Sequence, residues 1–217
     1  MESKLDGLQL THITYLSLDI GIRNFAYCIV SVDHPQTVNV HQWEKIDLLK
    51  ENNVDSKISA KFVPLSTLYK ITYETLSKRL YHWNKLGIDV VLVEQQLGKS
   101  RNAKLEGMVI MWLYSHLKKT VQSVSPNWKL LLDYRDRLFC LRPNKSASSY
   151  DQRKEYTVHL VRRWIWSQPS AVRTFFNRFQ APTKKDTKQD DLADALTQAI
   201  AYHLKKSSVS KKKQKKK

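Results

Sequence analysis

Apolar positions fall first into two β-like runs. Tyr15, Leu16 and Leu18, and then Phe25, Ala26, Tyr27, Ile29 and Val30, flank a tight connection at Gly21 and predict an antiparallel hairpin. After a turn at Asp33, His34 and Pro35, residues 37–46 alternate well enough to add a third strand. Residues 47–63 are polar and irregular and read as a surface connection. Pro64 opens a helix running to about Leu86, with Leu65, Leu68, Ile71, Tyr73, Leu76, Leu80 and Trp83 as its apolar stripe and Gly87 as its stop. Residues 88–94 are nearly continuously apolar, the pattern of a strand buried on both faces. A polar, basic loop follows, then a helix from about Ala103 to Lys119 that is apolar around much of its circumference. Residues 120–125, closed by Pro126, give a fifth strand and complete a parallel crossover unit.

Beyond this unit the pattern is weaker. Residues 128–143 mix apolar positions with Asp133, Arg135, Asp136, Arg137 and Arg142, and periodicity does not decide between strand and helix. Residues 144–150 are a polar loop, 153–166 a helix rich in arginine, 173–179 a short helical turn, and 181–189 a flexible basic connector. The last helix spans Asp190 to about Leu204, and the lysine-rich remainder, 205–217, is expected to be disordered. Residues 1–204 are therefore read as one α/β domain, with a mixed sheet of three antiparallel strands followed by parallel ones and helices on its flanks.

Acidic residues interrupt this pattern at telling places. Asp19 lies inside the first apolar run and Glu94 ends the fourth strand; a carboxylate left ionised in a sheet interior is costly unless it is paired or binds a metal. Asp19 at a strand end could instead accept from the turn amides of Gly21 to Asn24. In the last helix Asp190 and Asp194 share a face, with Asp191 on the flank. Asp190 and Asp191 suit a first turn, but Asp194 lies past the cap, and like charges four residues apart repel unless a cation separates them. Two strand acids with a helix-borne pair are the donors needed to hold two divalent ions against a phosphate. Carboxylates are hard ligands suited to Mg²⁺ or Mn²⁺.

Charge sharpens this reading. The 217 residues carry 37 Lys+Arg against 20 Asp+Glu, a net +17, and since eight of the lysines lie in residues 205–217 the body keeps +9. Such an excess favours a polyanion, nucleic acid above all, through neutralised phosphates and released counterions. No long basic amphipathic helix and no apolar run of transmembrane length stands out, so no membrane partner is expected. The two cysteines, Cys28 and Cys140, give neither a disulfide framework nor zinc spacing, which points to a reducing compartment. The N-terminal residues MESKLDGLQ have no apolar core of a signal peptide.

Three stretches, "LDIGIRNFAY", "VLVEQQ" and "KQDDLADAL", in this order and spread over residues 13 to 204, resemble the Holliday junction resolvases of fungal mitochondria, relatives of the poxvirus and bacterial RuvC resolvases. The resemblance implies a ribonuclease H-like fold and metal-dependent cleavage of four-way junction DNA by a homodimer making two symmetric nicks. It implies Mg²⁺, with Mn²⁺ able to substitute, at about two ions per site, no small-molecule cofactor, and a mitochondrial location; "KKKQKKK" reads equally as a nuclear signal. Carried over by motif, Asp19 and Glu94 take the strand-acid positions and Asp194 the last helix acid. A spacing of three selects Asp191 as its partner, as in the bacterial pattern, and a spacing of four selects Asp190; both stay candidates. Arg23, Asn24, Gln95, Gln96, Lys99, Arg101, Arg153 and Lys154 are the candidate DNA contacts. Some fungal members carry an additional N-terminal DNA-binding segment, and with about a dozen residues before the first strand that element is expected to be absent or removed. Two other activities would fit the fold. A non-catalytic nucleic-acid-binding module should have lost an acid, and a ribonuclease H acting on RNA–DNA hybrids should work as a monomer.

Overall fold

The first apolar run forms β1 (His12–Asp19), buried from Ile13 to Leu18. The computed structural model describes residues 12–33, 37–55, 57–96, 98–135, 138–141, 150–168 and 189–214. β2 (Phe25–Asp33) pairs antiparallel with β1, setting Asp19 opposite Ala26. The turn between them admits only glycine at position 21, because a Cβ there would lie 2.8 Å from the Asn24 carbonyl oxygen. β3 (Val38–Ile46) adds antiparallel to β2 as an edge strand. On the other side of β1, β4 (Val90–Glu94) and β5 (Thr120–Val124) run parallel to it, giving the order β3-β2-β1-β4-β5. This is the expected mixed sheet, and the fold is ribonuclease H-like.

Alternation along the strands decides what each face carries. Leu16, Leu18, Tyr27, Val91 and Val93 point to one face, where α2 (Leu65–Lys85) and α3 (Arg101–Leu117) cover them. Tyr15, Ala26, Cys28 and Leu92 point to the other, under α4 (Tyr150–Ser167) and α5 (Asp190–Gln214). The parity of Tyr15 is that of Asp19, and the parity of Leu92 is that of Glu94, so both acids belong to the α5 face. Leu18 pairs with Val93, which puts the two acids level at the same end of neighbouring parallel strands.

Several stretches differ from expectation. Within the connection 47–63, Asp47 accepts from the Leu49 and Lys50 amides and caps a short helix, α1 (Leu48–Glu51), and Ala60–Phe62 makes a 3₁₀ turn. α3 starts at Arg101, earlier than Ala103, because the Ser100 hydroxyl accepts from the Ala103 amide as its N-cap. The undecided stretch forms a 3₁₀ turn, Trp128–Leu131, and a hairpin of β6 (Leu132–Arg135) and β7 (Leu138–Leu141), with Leu132, Tyr134 and Phe139 buried. α4 reaches from Tyr150, outside the expected 153–166. α5 does not stop near Leu204: it continues to Gln214, where disorder is expected from residue 205. Lysine is a good helix former and no Gly or Pro interrupts this stretch. Residues 1–11, the loop 144–149, the segments 173–179 and 181–188, and residues 215–217 lie outside the described residues. Among the described residues no helix is long and apolar enough to cross a membrane, and Cys28 and Cys140 are free thiols.

Trp83 anchors the α2 layer, fully buried with its ring edge-on to Tyr27 at 5.2 Å. Trp83→Ala should cost about 3–5 kcal/mol of unfolding free energy by loss of transfer energy and creation of a cavity. A urea titration that shows less than 1 kcal/mol of loss would contradict this packing.

Candidate active site

Asp19 from the end of β1, Glu94 from the end of β4 and Asp194 from the second turn of α5 each offer an oxygen, and these oxygens lie within 4.8 Å of one another. The strands set the first two by register alone. The third depends on how α5 is docked. The indole nitrogen of Trp43 on β3 donates to the Leu192 carbonyl at 2.8 Å, and Arg162 of α4 donates to the Gln189 side chain at 2.8 Å. Further along, the Tyr15 hydroxyl and His203 Nδ1 are 3.0 Å apart in the core. These contacts fix the rotation and the height of α5, and so aim Asp194 at the sheet.

The three acids lie in a cleft of about 510 Å³ also lined by Asp191, Asn24, Gln95, Gln96, Lys129 and Lys154. Lys129, from the 3₁₀ turn after β5, is one residue that sequence reasoning missed. Its ammonium donates to both Glu94 oxygens, at 3.1 and 3.3 Å, and to Asp194. Its signal in the sequence was weak, a lysine inside an undecided apolar stretch. Lys154 of α4 pairs with Asp190, so Asp190 is turned to a lysine while Asp191 faces the cleft beside Asp19. A second missed residue is Glu106, a buried acid of α3, which accepts from the Gln96 amide at 2.8 Å and the Ser123 hydroxyl at 3.3 Å. It fixes the direction in which the chain leaves β4 after Glu94.

Electrostatics at this centre are lopsided. Burial, together with the Glu94 and Asp194 charges, holds the Asp19 carboxyl well above the usual range; Lys129 offsets this in part and Asp191 adds to it. Burial likewise pushes Asp194 up; Lys129 opposes this, Glu94 and Asp190 reinforce it, and the result is about 7. Burial alone would lower the Lys129 ammonium, but Asp194, Glu94 and Asp19 outweigh it and raise it. Buried Asp194 Oδ1 accepts no hydrogen bond among the described residues. One lysine does not neutralise three clustered carboxylates. The donor set is all oxygen, hard and convergent, and fits a divalent cation such as Mg²⁺.

The expected DNA contacts divide. Asn24, Gln95, Gln96 and Lys154 line the cleft, and Lys99 is exposed on the loop before α3. Arg23 and Arg101, both half-buried, are paired within the chain. Arg23 donates to Asp47 at 3.1 Å and to the Ile58 carbonyl at 2.8 Å, and Arg101 donates to the Lys61 and Val63 carbonyls. The side chain of Arg153 lies outside the described residues.

A ribonuclease H-like sheet with a carboxylate at the end of each of two adjacent parallel strands, and a third from the helix packed across them, defines a class of acidic-centred α/β proteins. Residues 13–206 match the Poxvirus A22 protein family, and the chain belongs to it. Among curated proteins it is similar to the mitochondrial cruciform cutting endonuclease 1 of Schizosaccharomyces pombe, 23% identical over 202 residues that cover 86% of this chain and 76% of that protein. Among solved structures it is similar to the Fowlpox virus resolvase in complex with Holliday junction DNA, with a TM-score of 0.55, 21% identity, and 88% of this chain and 96% of that one covered. The RuvC of Thermus thermophilus gives a TM-score of 0.55 at 14% identity, over 91% of this chain and 98% of that one. At these identities the structural likenesses are likenesses of fold, and the fold agrees with the one derived above.

The raised carboxyls give a testable pH dependence. Between the ordinary carboxylate value of about 4 and about 7, folded Asp194 keeps a proton that the unfolded chain has released. Stability of the metal-free protein therefore falls as pH rises through that window. Mg²⁺, which needs the ionised acids, should raise the melting temperature more at pH 8 than at pH 6. Thermal melts with and without Mg²⁺ at the two pH values check this, and an equal or reversed Mg²⁺ effect contradicts it.

Proposed function

We propose that this protein is a metal-dependent endonuclease that resolves four-way DNA junctions as a homodimer. The observation that carries the reading is the convergence of Asp19, Glu94 and Asp194 within 4.8 Å at the floor of a cleft in a chain of net charge +17. Membership of the Poxvirus A22 family supports it, as do a relative named a cruciform cutting endonuclease and a structural neighbour bound to Holliday junction DNA. Asp19, Glu94 and Asp194 hold Mg²⁺, or Mn²⁺ in its place, with Asp191 as fourth acid because it faces the cleft while Asp190 is turned to Lys154. Bound there as a pair, the ions supply an activated water and a charge sink for the leaving oxygen. Lys129 offsets part of the acids' charge in the metal-free protein, and Asn24, Gln95 and Gln96 line the path of the strand.

The second copy covers the exposed stripe of α3. Met111 and Tyr114 are 68% and 66% exposed there, Gly107 leaves open space on the same stripe, and half-exposed Tyr73 of α2 lies edge-on to Trp112 and His116 of the same helix. Two sites at a fixed separation fit a junction and not a straight duplex. The lysines from Lys205 onward add phosphate contacts without reading shape. The location is mitochondrial, by analogy with the S. pombe relative.

Asp19→Asn and Glu94→Gln should each lower junction cleavage by at least about a hundredfold, the scale of losing a preorganised charge in a catalytic site, while junction binding stays near wild type. Near-normal Mg²⁺-dependent rates in either variant would remove that residue from the centre. Asp191→Asn should be as inactive as Asp19→Asn and Asp190→Asn should retain cleavage, and the opposite ranking in a cleavage assay would reassign the fourth acid. Truncation after Leu204 should weaken junction and duplex binding by similar factors and flatten both salt dependences. A collapse of the junction-to-duplex affinity ratio would give the tail a part in selecting structure.

A further inference from the structure

The ring of Phe62 is 70% exposed at the end of the 3₁₀ turn Ala60–Phe62. A single exposed ring is ordinary on a protein surface. The way this one is held is not ordinary. Arg101 reaches over from the start of α3 and donates to the carbonyls on both sides of it, those of Lys61 and Val63. Arg23 donates to the Ile58 carbonyl at 2.8 Å, at the beginning of the same segment, and Val63 is buried immediately after the ring. The segment is thus tied down on both sides of a ring that stands out in solvent.

Both braces are chain neighbours of residues that line the acidic cleft, though neither lines it itself. Arg23 lies between Gly21 and Asn24, and Arg101 directly precedes Asn102, and Gly21, Asn24 and Asn102 all line that cleft. The Lys61 ammonium lies 4.8 Å from the centre of the Phe62 ring, Lys57 is exposed next to the braced Ile58, and Lys99 is exposed on the loop between the cleft-lining Gln96 and Asn102. A rigidly presented aromatic face flanked by mobile cations is the recurring way in which proteins hold an unpaired base: the ring stacks on the base and the lysines meet its phosphates. A base paired inside a duplex offers no free face for such a ring. A nucleotide at the branch point of a junction does.

We infer that Phe62 is a stacking platform for an unpaired base at the branch point of the DNA, held at the edge of the active site by Arg23 and Arg101. The inference rests on the junction-resolving reading above and adds a specificity-determining residue to it. It also explains why two arginines expected to meet phosphate meet backbone carbonyls: their part is to hold the platform.

The test compares wild-type protein, F62A and F62W, with Mg²⁺ withheld so that nothing is cut. Binding is measured to an intact four-way junction, to the same junction with abasic nucleotides at the branch point, and to a linear duplex. F62A should weaken binding to the intact junction by roughly tenfold or more, the scale of one lost aromatic–base stack, and F62W should restore it. On the abasic junction wild type and F62A should converge, because the base that the ring needs is gone. Equal affinity of wild type and F62A for the intact junction overturns the inference. So does an equal loss on junction and duplex, or a loss of dimer in sedimentation, which would assign the ring to the second copy. Wild-type protein that binds junction and duplex equally overturns the proposed function itself, an outcome read without any variant.

Discussion

Mutual repulsion among clustered carboxylates, two of them buried, is the constraint to which the rest of this structure answers. Asp19, Glu94 and Asp194 sit where an isolated charge is costly, and their oxygens lie within 4.8 Å of one another. No strand or helix would adopt this arrangement for its own stability. It persists because the sheet is buried on both faces and α5 is fixed through Trp43, Arg162 and Tyr15, so apolar packing and hydrogen bonds elsewhere hold the acids against their own field. Lys129 and Lys154 relieve part of that field, each paired with an acid of α5.

The lysines also alter how the basic character of the chain is to be understood. The net charge of +17 describes the chain as a whole, whereas the cleft is locally acidic and its nearest cations are tied to carboxylates. Attraction of a polyanion and chemistry on it are thus assigned to different parts of the surface. Lys57, Lys61 and Lys99 are exposed outside the lining of the cleft, and the acids lie within it.

Much of the architecture could be read from the chain because two simple periodicities carry it. The strands were legible as alternating or continuous apolar runs, and their order follows from short connections first and a helical crossover later. Asp19 and Glu94 were legible for the same reason: an acid that ends an apolar run has no bland place in a buried strand. Lys129 was not, because a lysine among Trp128, Leu130 and Leu131 has no periodic marker, and its partners are 35 and 65 residues away. The backbone-carbonyl partners of Arg23 and Arg101 were not legible, because an arginine that donates to backbone carbonyls looks, in sequence, like any other cation. The separation of Asp190 from Asp191 depends on the rotation of α5, which Lys154 and the Trp43 contact decide and the helix's own sequence does not. The end of α5 was missed because lysine-rich, low-complexity sequence is compatible with both disorder and helix.

The three acids come from β1, β4 and the last helix of the chain. During synthesis the two strand acids emerge from the ribosome long before the third exists, and β1 and β4 can pair while the helix that completes the set is still being made. A nascent chain therefore holds a sheet but not the full cluster of acids. The cluster closes only when α5 is docked, so a ribosome carrying this unfinished chain does not carry the completed acidic centre.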